Sequence, residues 1–96
     1  MSATAAPVVL YTTSWCPYCE RARRLLDGKG VGYTEIDIEA VEGARAEMQQ
    51  RSGRSSVPQI FVGDRHIGGY DDAWAHDKKG LLDPLLAASG THAIQD

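Results

Sequence analysis

The feature that most limits how this chain can fold is the passage from Val8 to about Lys29. Val8-Val9-Leu10-Tyr11 is a short β-branched and apolar run after Pro7, suited to the start of a buried strand. It ends in polar Thr12-Thr13-Ser14. From Pro17 the composition turns to Glu, Arg, Ala and Leu, with Ala22, Leu25 and Leu26 spaced to share one helix face. Pro17 suits the first helical position, where its missing N–H is no loss, and Gly28 and Gly30 mark the end. The passage therefore predicts a strand that feeds a helix, with Cys16 at the junction.

The remainder extends that unit. Tyr33-Thr34-Glu35-Ile36-Asp37-Ile38 alternates as a half-buried strand does, with Tyr33, Glu35 and Asp37 opposite Thr34, Ile36 and Ile38. Val41 to Gln50 reads as a second helix, mostly polar and on the surface, with only Gly43 against it and Gly53 where it would stop. Pro58 to Val62, the turn Gly63-Asp64 and Arg65-His66-Ile67 predict a β-hairpin whose short second strand belongs at an edge. Asp71 and Asp72 cap a helix running to Lys79, and Asp83-Pro84 starts a last one. The order βαβα, hairpin, helices predicts an α/β fold with a four-stranded mixed sheet between helices. Residues 7–90 read as a single domain, with short tails at 1–6 and 91–96.

Ninety-six residues suffice for one hydrophobic core. A hydrophobic fraction of 43% and a charged fraction of 24% are those of an ordinary globule. The net charge of -3 argues against nucleic acid as a partner, because phosphate binding draws on clustered Lys and Arg. Arg21, Arg23, Arg24 and Lys29 do give the cysteine segment a local positive excess, which reads first as a solvated helix face. Residues 1–6 lack the basic start and apolar run of a secretory signal, and no segment approaches a membrane span. The two cysteines are therefore expected in a reducing compartment, the cytoplasm, where a persistent structural disulfide would be unusual.

Cys16 is predicted just before the first helical residue, where unpaired N–H groups and the positive end of the helix dipole favour an anion. Cysteines so placed have pKa values of roughly 3.5–7.5, against about 8.5 for a free thiol. Cys19 lies one turn on, in reach of a mixed disulfide formed at Cys16. A Cys-x-x-Cys beside a β-α-β pattern points to redox chemistry. Zinc would need two further ligands at characteristic spacings, and His66, His76 and His92 provide none, so no metal is expected and the histidines read as surface residues.

Three segments, Cys16-Pro17-Tyr18-Cys19, Ser56-Val57-Pro58-Gln59-Ile60-Phe61-Val62 and Gly68-Gly69-Tyr70-Asp71-Asp72, together resemble a bacterial class I dithiol glutaredoxin over about residues 7–87. A thioredoxin would carry Gly-Pro between its cysteines. The resemblance implies a thioredoxin-like fold with Pro58 cis and facing Cys16. It implies a glutathione-dependent thiol-disulfide oxidoreductase, with Cys16 and Cys19 catalytic and glutathione as co-substrate. Glutathione would be bound by Tyr18, Arg45, Ser56, Val57, Pro58, Gly69, Tyr70, Asp71 and Asp72. In that pose the Val57 backbone pairs with the cysteine of glutathione like an added strand. The γ-glutamyl carboxylate meets the N–H groups of Tyr70 and Asp71, and Asp71 or Asp72 takes the ammonium. Arg45 would grip a carboxylate.

Two departures qualify the resemblance. Thr13 stands where the family usually offers a Lys, and Tyr70 replaces the small residue common after the paired glycines. The implied partners are glutathione and glutathionylated or disulfide-containing proteins, met by a monomer without nucleic acid or membrane. Two other classes compete. A glutathione-ligated iron-sulfur carrier would use Cys16 thiolates of two chains, although Pro17 disfavours it by analogy with cluster-binding relatives. A non-catalytic binding module on the same fold is at odds with the intact cysteine pair.

Overall fold

The computed structural model describes residues 7–87. The expected tails, 1–6 and 91–96, and the last expected domain residues, 88–90, lie outside the described residues. The elements are β1 (Val8–Thr12), α1 (Pro17–Gly28), β2 (Thr34–Asp37), α2 (Ala44–Ser52), β3 (Gln59–Val62), β4 (Arg65–Gly68), α3 (Tyr70–Lys78) and α4 (Leu82–Ala87). They build one four-stranded sheet in the order β2-β1-β3-β4. β1 pairs parallel with β2 and antiparallel with β3, and β3 pairs antiparallel with β4. This is the expected mixed sheet.

Period-two alternation along β1 and β3 divides the core between the two faces of the sheet. Val8, Leu10, Ile60 and Val62 pack with Ala22 and Leu26 of α1, Ala73 of α3, and Leu82 and Leu86 of α4. Tyr11 and Phe61 point the other way, onto Ala44 and Met48 of α2. Burying one side chain such as Leu10 or Leu26 contributes about 1.5–3 kcal/mol. Helices on both faces leave the central β1 dry, and its C-terminal end delivers the chain into the Cys16 junction.

Three boundaries differ from the sequence reading. α2 starts at Ala44 rather than Val41, because Gly43 is its N-cap in a left-handed conformation, φ 81°, that a helix interior does not adopt. That helix is also less superficial than its composition suggests, since Ala44 and Met48 are buried. β2 is shorter than the alternation from Tyr33 to Ile38, although Tyr33 and Ile38 still pack on opposite faces of the sheet. α3 is capped by Gly69, not by the aspartates, which lie in its first turn. Among the described residues, no helix is long and apolar enough to cross a membrane.

Candidate active site

Cys16 is the N-cap of α1, with extended backbone at φ -159° and ψ 108°. Its carbonyl accepts the Glu20 N–H at 3.1 Å. Its sulfur stands where a Ser or Asp oxygen commonly caps, accepting the Cys19 N–H at 3.2 Å. Negative charge on that sulfur therefore faces a backbone donor and the positive end of a helix. The Sγ also lies 3.9 Å from the Val57 carbonyl, to which a protonated thiol donates.

The second cysteine has a different environment. Cys19 is 0% exposed, whereas Cys16 is half-buried, and both are free thiols. Burial pushes the Cys19 thiol up to about 12, reinforced by its hydrogen bond to Cys16 and opposed by a Thr13 backbone bond and by the charge of Arg23. At neutral pH Cys19 is a protonated thiol held beneath an accessible sulfur. One motif thus contains two chemically distinct thiols.

Opposite Cys16, the Val57–Pro58 peptide bond is cis. A cavity of about 310 Å³ opens beside it. One wall is Ser56, Val57 and Pro58, leading into β3; another is Gly69, Tyr70, Asp71 and Asp72, at the start of α3. Tyr18 of α1 closes a third side, its ring 6.5 Å from that of Tyr70 and lying under the Arg21 guanidinium at 5.1 Å. Eight residues from three distant segments meet here.

Close packing keeps these walls in place. Gly68, at φ 118°, abuts Asp72 so tightly that an added Cβ would overlap it, and a Cβ on Gly69 would sit 3.3 Å from the Pro58 carbonyl. The carboxylate of Asp72 accepts the Gly69 N–H at 2.9 Å and an Arg54 N–H at 2.7 Å, both on Oδ2. Arg54, followed by the Gly69 N–H, holds the Asp72 carboxyl below the usual range, so it is ionised at neutral pH. Behind the Ser56 loop, the side chain of Gln59 is 0% exposed. Its amide donates to the Ser56 carbonyl at 3.0 Å, and its oxygen lies 2.7 Å from His66 Nε2. His66 is thus a partly buried strut stacked on Phe61, not a surface residue, and burial lowers its pKa.

Arg45 does not line this cavity. Its position near the start of α2 sends the guanidinium to Glu39, at 3.6 Å. The arginine at the cavity is Arg54, which the sequence reading passed over. Its one sequence signal is proximity, two residues before Ser56; nothing local shows that the loop after α2 would fold it onto Asp72.

Comparison with known proteins bears on the family. A family model described as glutaredoxin matches residues 8–67, which include the cysteine pair and the cis-proline loop. The chain belongs to the glutaredoxin family. It is 53% identical over 81 residues to glutaredoxin 3 of Escherichia coli K12, covering 84% of this chain and 98% of the relative. It is 50% identical over 82 residues to a glutaredoxin of Pseudomonas aeruginosa, covering 85% and 98%. Among solved structures, a buckwheat glutaredoxin-glutathione complex superposes with a TM-score of 0.79 at 32% identity, covering 85% of this chain and 77% of that one. This bacterial glutaredoxin, of the thioredoxin-like superfamily, is a thiol-disulfide oxidoreductase with a redox-active cysteine pair.

Proposed function

We propose that this glutaredoxin uses glutathione to reduce protein-glutathione mixed disulfides through Cys16, and protein disulfides through Cys16 and Cys19. The observation that carries the reading is the position of Cys16 Sγ. It is capped by the Cys19 N–H and lies 3.9 Å from the carbonyl of Val57, a residue that lines the cavity of about 310 Å³. The glutathione complex of the buckwheat relative supports the choice of ligand.

In the first reaction the Cys16 thiolate attacks the glutathione sulfur of the mixed disulfide. The old S–S bond breaks, the protein leaves as a thiolate that takes a proton, and glutathione stays on Cys16. A second glutathione thiolate attacks its sulfur, releasing glutathione disulfide and restoring Cys16. Cys19 takes no part. With a protein disulfide, Cys16 bonds one substrate sulfur and Cys19, after losing its proton, attacks Cys16 Sγ. The substrate leaves as a dithiol, and two glutathiones reduce the resulting Cys16–Cys19 bond.

Within the cavity, Val57 offers its backbone to the cysteine of glutathione. The N–H groups of Tyr70 and Asp71 at the start of α3 receive the γ-glutamyl carboxylate, and ionised Asp72 holds the ammonium. Arg54 supplies the cation that Arg45 was expected to bring. Reduction driven by glutathione suits the cytoplasm, and the chemistry needs only a monomer.

Turnover of a glutathionylated peptide with glutathione as reductant tests the reading. Cys16→Ser should abolish activity on both substrate types, while Cys19→Ser should keep the glutathionylated peptide and lose the protein disulfide. Substantial turnover by Cys16→Ser, or a preference for thioredoxin reductase over glutathione as electron source, overturns it.

A further inference from the structure

The glutathione cavity occupies only one side of Cys16. On the other side a second cavity, of about 290 Å³, is walled by Ser14, Trp15, Cys16, Pro17, Glu20 and Arg23 and shares no wall residue with the first. Arg23 places it toward β2, since its Nε donates to Glu35 of that strand at 2.8 Å. The glutathione cavity instead borders the loop entering β3, and β2 and β3 flank β1 on opposite sides. The reacting sulfur thus stands between two concave surfaces, of which the proposed glutathione pose uses one.

The second surface sets the apolar Trp15 and Pro17 beside polar Ser14 and charged Glu20 and Arg23. Its charges are already matched: Glu20 pairs with Arg23 at 3.4 Å and with Arg24 at 3.5 Å, and Arg23 with Glu35. Besides Ser14 and the reacting Cys16, what is left is the Pro17 ring and the indole of Trp15, which is 82% exposed. No side chain among the described residues stacks on that indole or hydrogen bonds to it. We propose that Trp15 and Pro17 form a subsite for an apolar or aromatic residue next to the target cysteine of a protein disulfide, so that Trp15 selects among protein substrates.

Covalent geometry brings such a residue to the subsite. A disulfide holds the two cysteine Cα atoms about 4.4–6.8 Å apart. The neighbouring substrate Cα is about 3.8 Å further on. When a substrate cysteine is bonded to Cys16, its neighbour is therefore one residue away from the second cavity, which Cys16 itself lines. Buried tryptophans are enriched among the few residues that dominate an interface, and a tenfold preference corresponds to about 1.4 kcal/mol.

The inference rests on Cys16 as the nucleophile in the function proposed above. Its test uses two short peptides, each cyclised by a disulfide and differing only in whether Phe or Ser precedes the first cysteine. The readout is the ratio of their kcat/KM values with glutathione as reductant. Wild type should favour the Phe peptide roughly tenfold, Trp15→Ala should bring the ratio near one, and Trp15→Phe should retain part of it. A ratio near one in wild type, or an unchanged ratio in Trp15→Ala, overturns the subsite. The cysteine-glutathione mixed disulfide, which has no flanking residue, is run alongside with wild type. Failure to turn it over sinks the glutathione reading and this one with it, whereas its turnover beside a flat peptide ratio refutes the subsite alone.

Discussion

Gly68→Ala and Gly69→Ala make the same chemical change one residue apart, and the structure predicts very different outcomes. At Gly68 the backbone is at φ 118°, a region that L side chains rarely adopt, at a cost of about 1–3 kcal/mol. The new methyl would also lie 2.7 Å from Asp72 Cβ, so turning the carboxylate aside does not remove the overlap. Overpacking of that kind adds about 1–3 kcal/mol. The opposing gain from a stiffer unfolded chain is only about 0.4–1 kcal/mol. Gly68→Ala should therefore lose about 2–5 kcal/mol, a Tm drop of roughly 8–40 °C for a domain of this size. At Gly69 the backbone is ordinary, φ -86°, and the methyl would crowd the Pro58 carbonyl at 3.3 Å while meeting Asp72 Oδ2 at an unstrained 3.9 Å. Its loss should be about 1 kcal/mol, or roughly 4–8 °C. Thermal unfolding followed by far-UV circular dichroism, with the cysteines kept reduced, measures both. A Gly68→Ala variant within about 4 °C of wild type, or no less stable than Gly69→Ala, would refute the account of this corner.

Other outcomes follow from the same contacts. The Cys19 thiol, raised from 9.0 to about 12 chiefly by burial, stabilises the reduced fold fully below pH 9.0 and loses that contribution as pH climbs toward about 12. The alkaline decline in urea midpoint should therefore be shallower in Cys19→Ser; equal slopes would contradict it. Gln59→Leu strands the Ser56 carbonyl and the His66 ring nitrogen, at about 1–3 kcal/mol per unsatisfied group. Its Tm should fall by at least about 4 °C, and an unchanged Tm would show that neither group is effectively buried. Thr13→Lys places a cation beside the Cys16 loop, and calorimetry should find glutathione bound several-fold tighter at low salt, with the gain shrinking as salt is added; a salt-independent affinity would rule out the electrostatic cause.

Much of this protein was legible before any coordinate. The short β-branched and apolar run at Val8–Tyr11 and the hairpin pattern from Pro58 to Ile67 announced the central strands, because such runs bounded by turn residues favour extended, buried chain. Pro17 behind Cys16 announced the helix start, because capping depends on a few adjacent residues. Boundaries were missed where one glycine's backbone decided the matter, as at Gly43 before α2 and at Gly69 before α3. The cavity residues were named from motifs rather than from geometry, and the cation showed the difference. Arg45 and Arg54 are both arginines in polar surroundings, and only the folded chain brings one of them within 2.7 Å of Asp72.

Short-range rules thus determined from sequence the strands, the first helix and the polarity of the cysteine pair along it, since each depends on residues within one turn or one strand. Tertiary structure alone decided which thiol is buried and protonated, which arginine faces the cavity, and that Gln59 ties the Ser56 loop to His66. Those outcomes depend on solvent exclusion and on distances between residues far apart in the chain. A sequence pattern carries the identity of such residues but not their separation, and the strength of a desolvated charge or hydrogen bond depends on that separation.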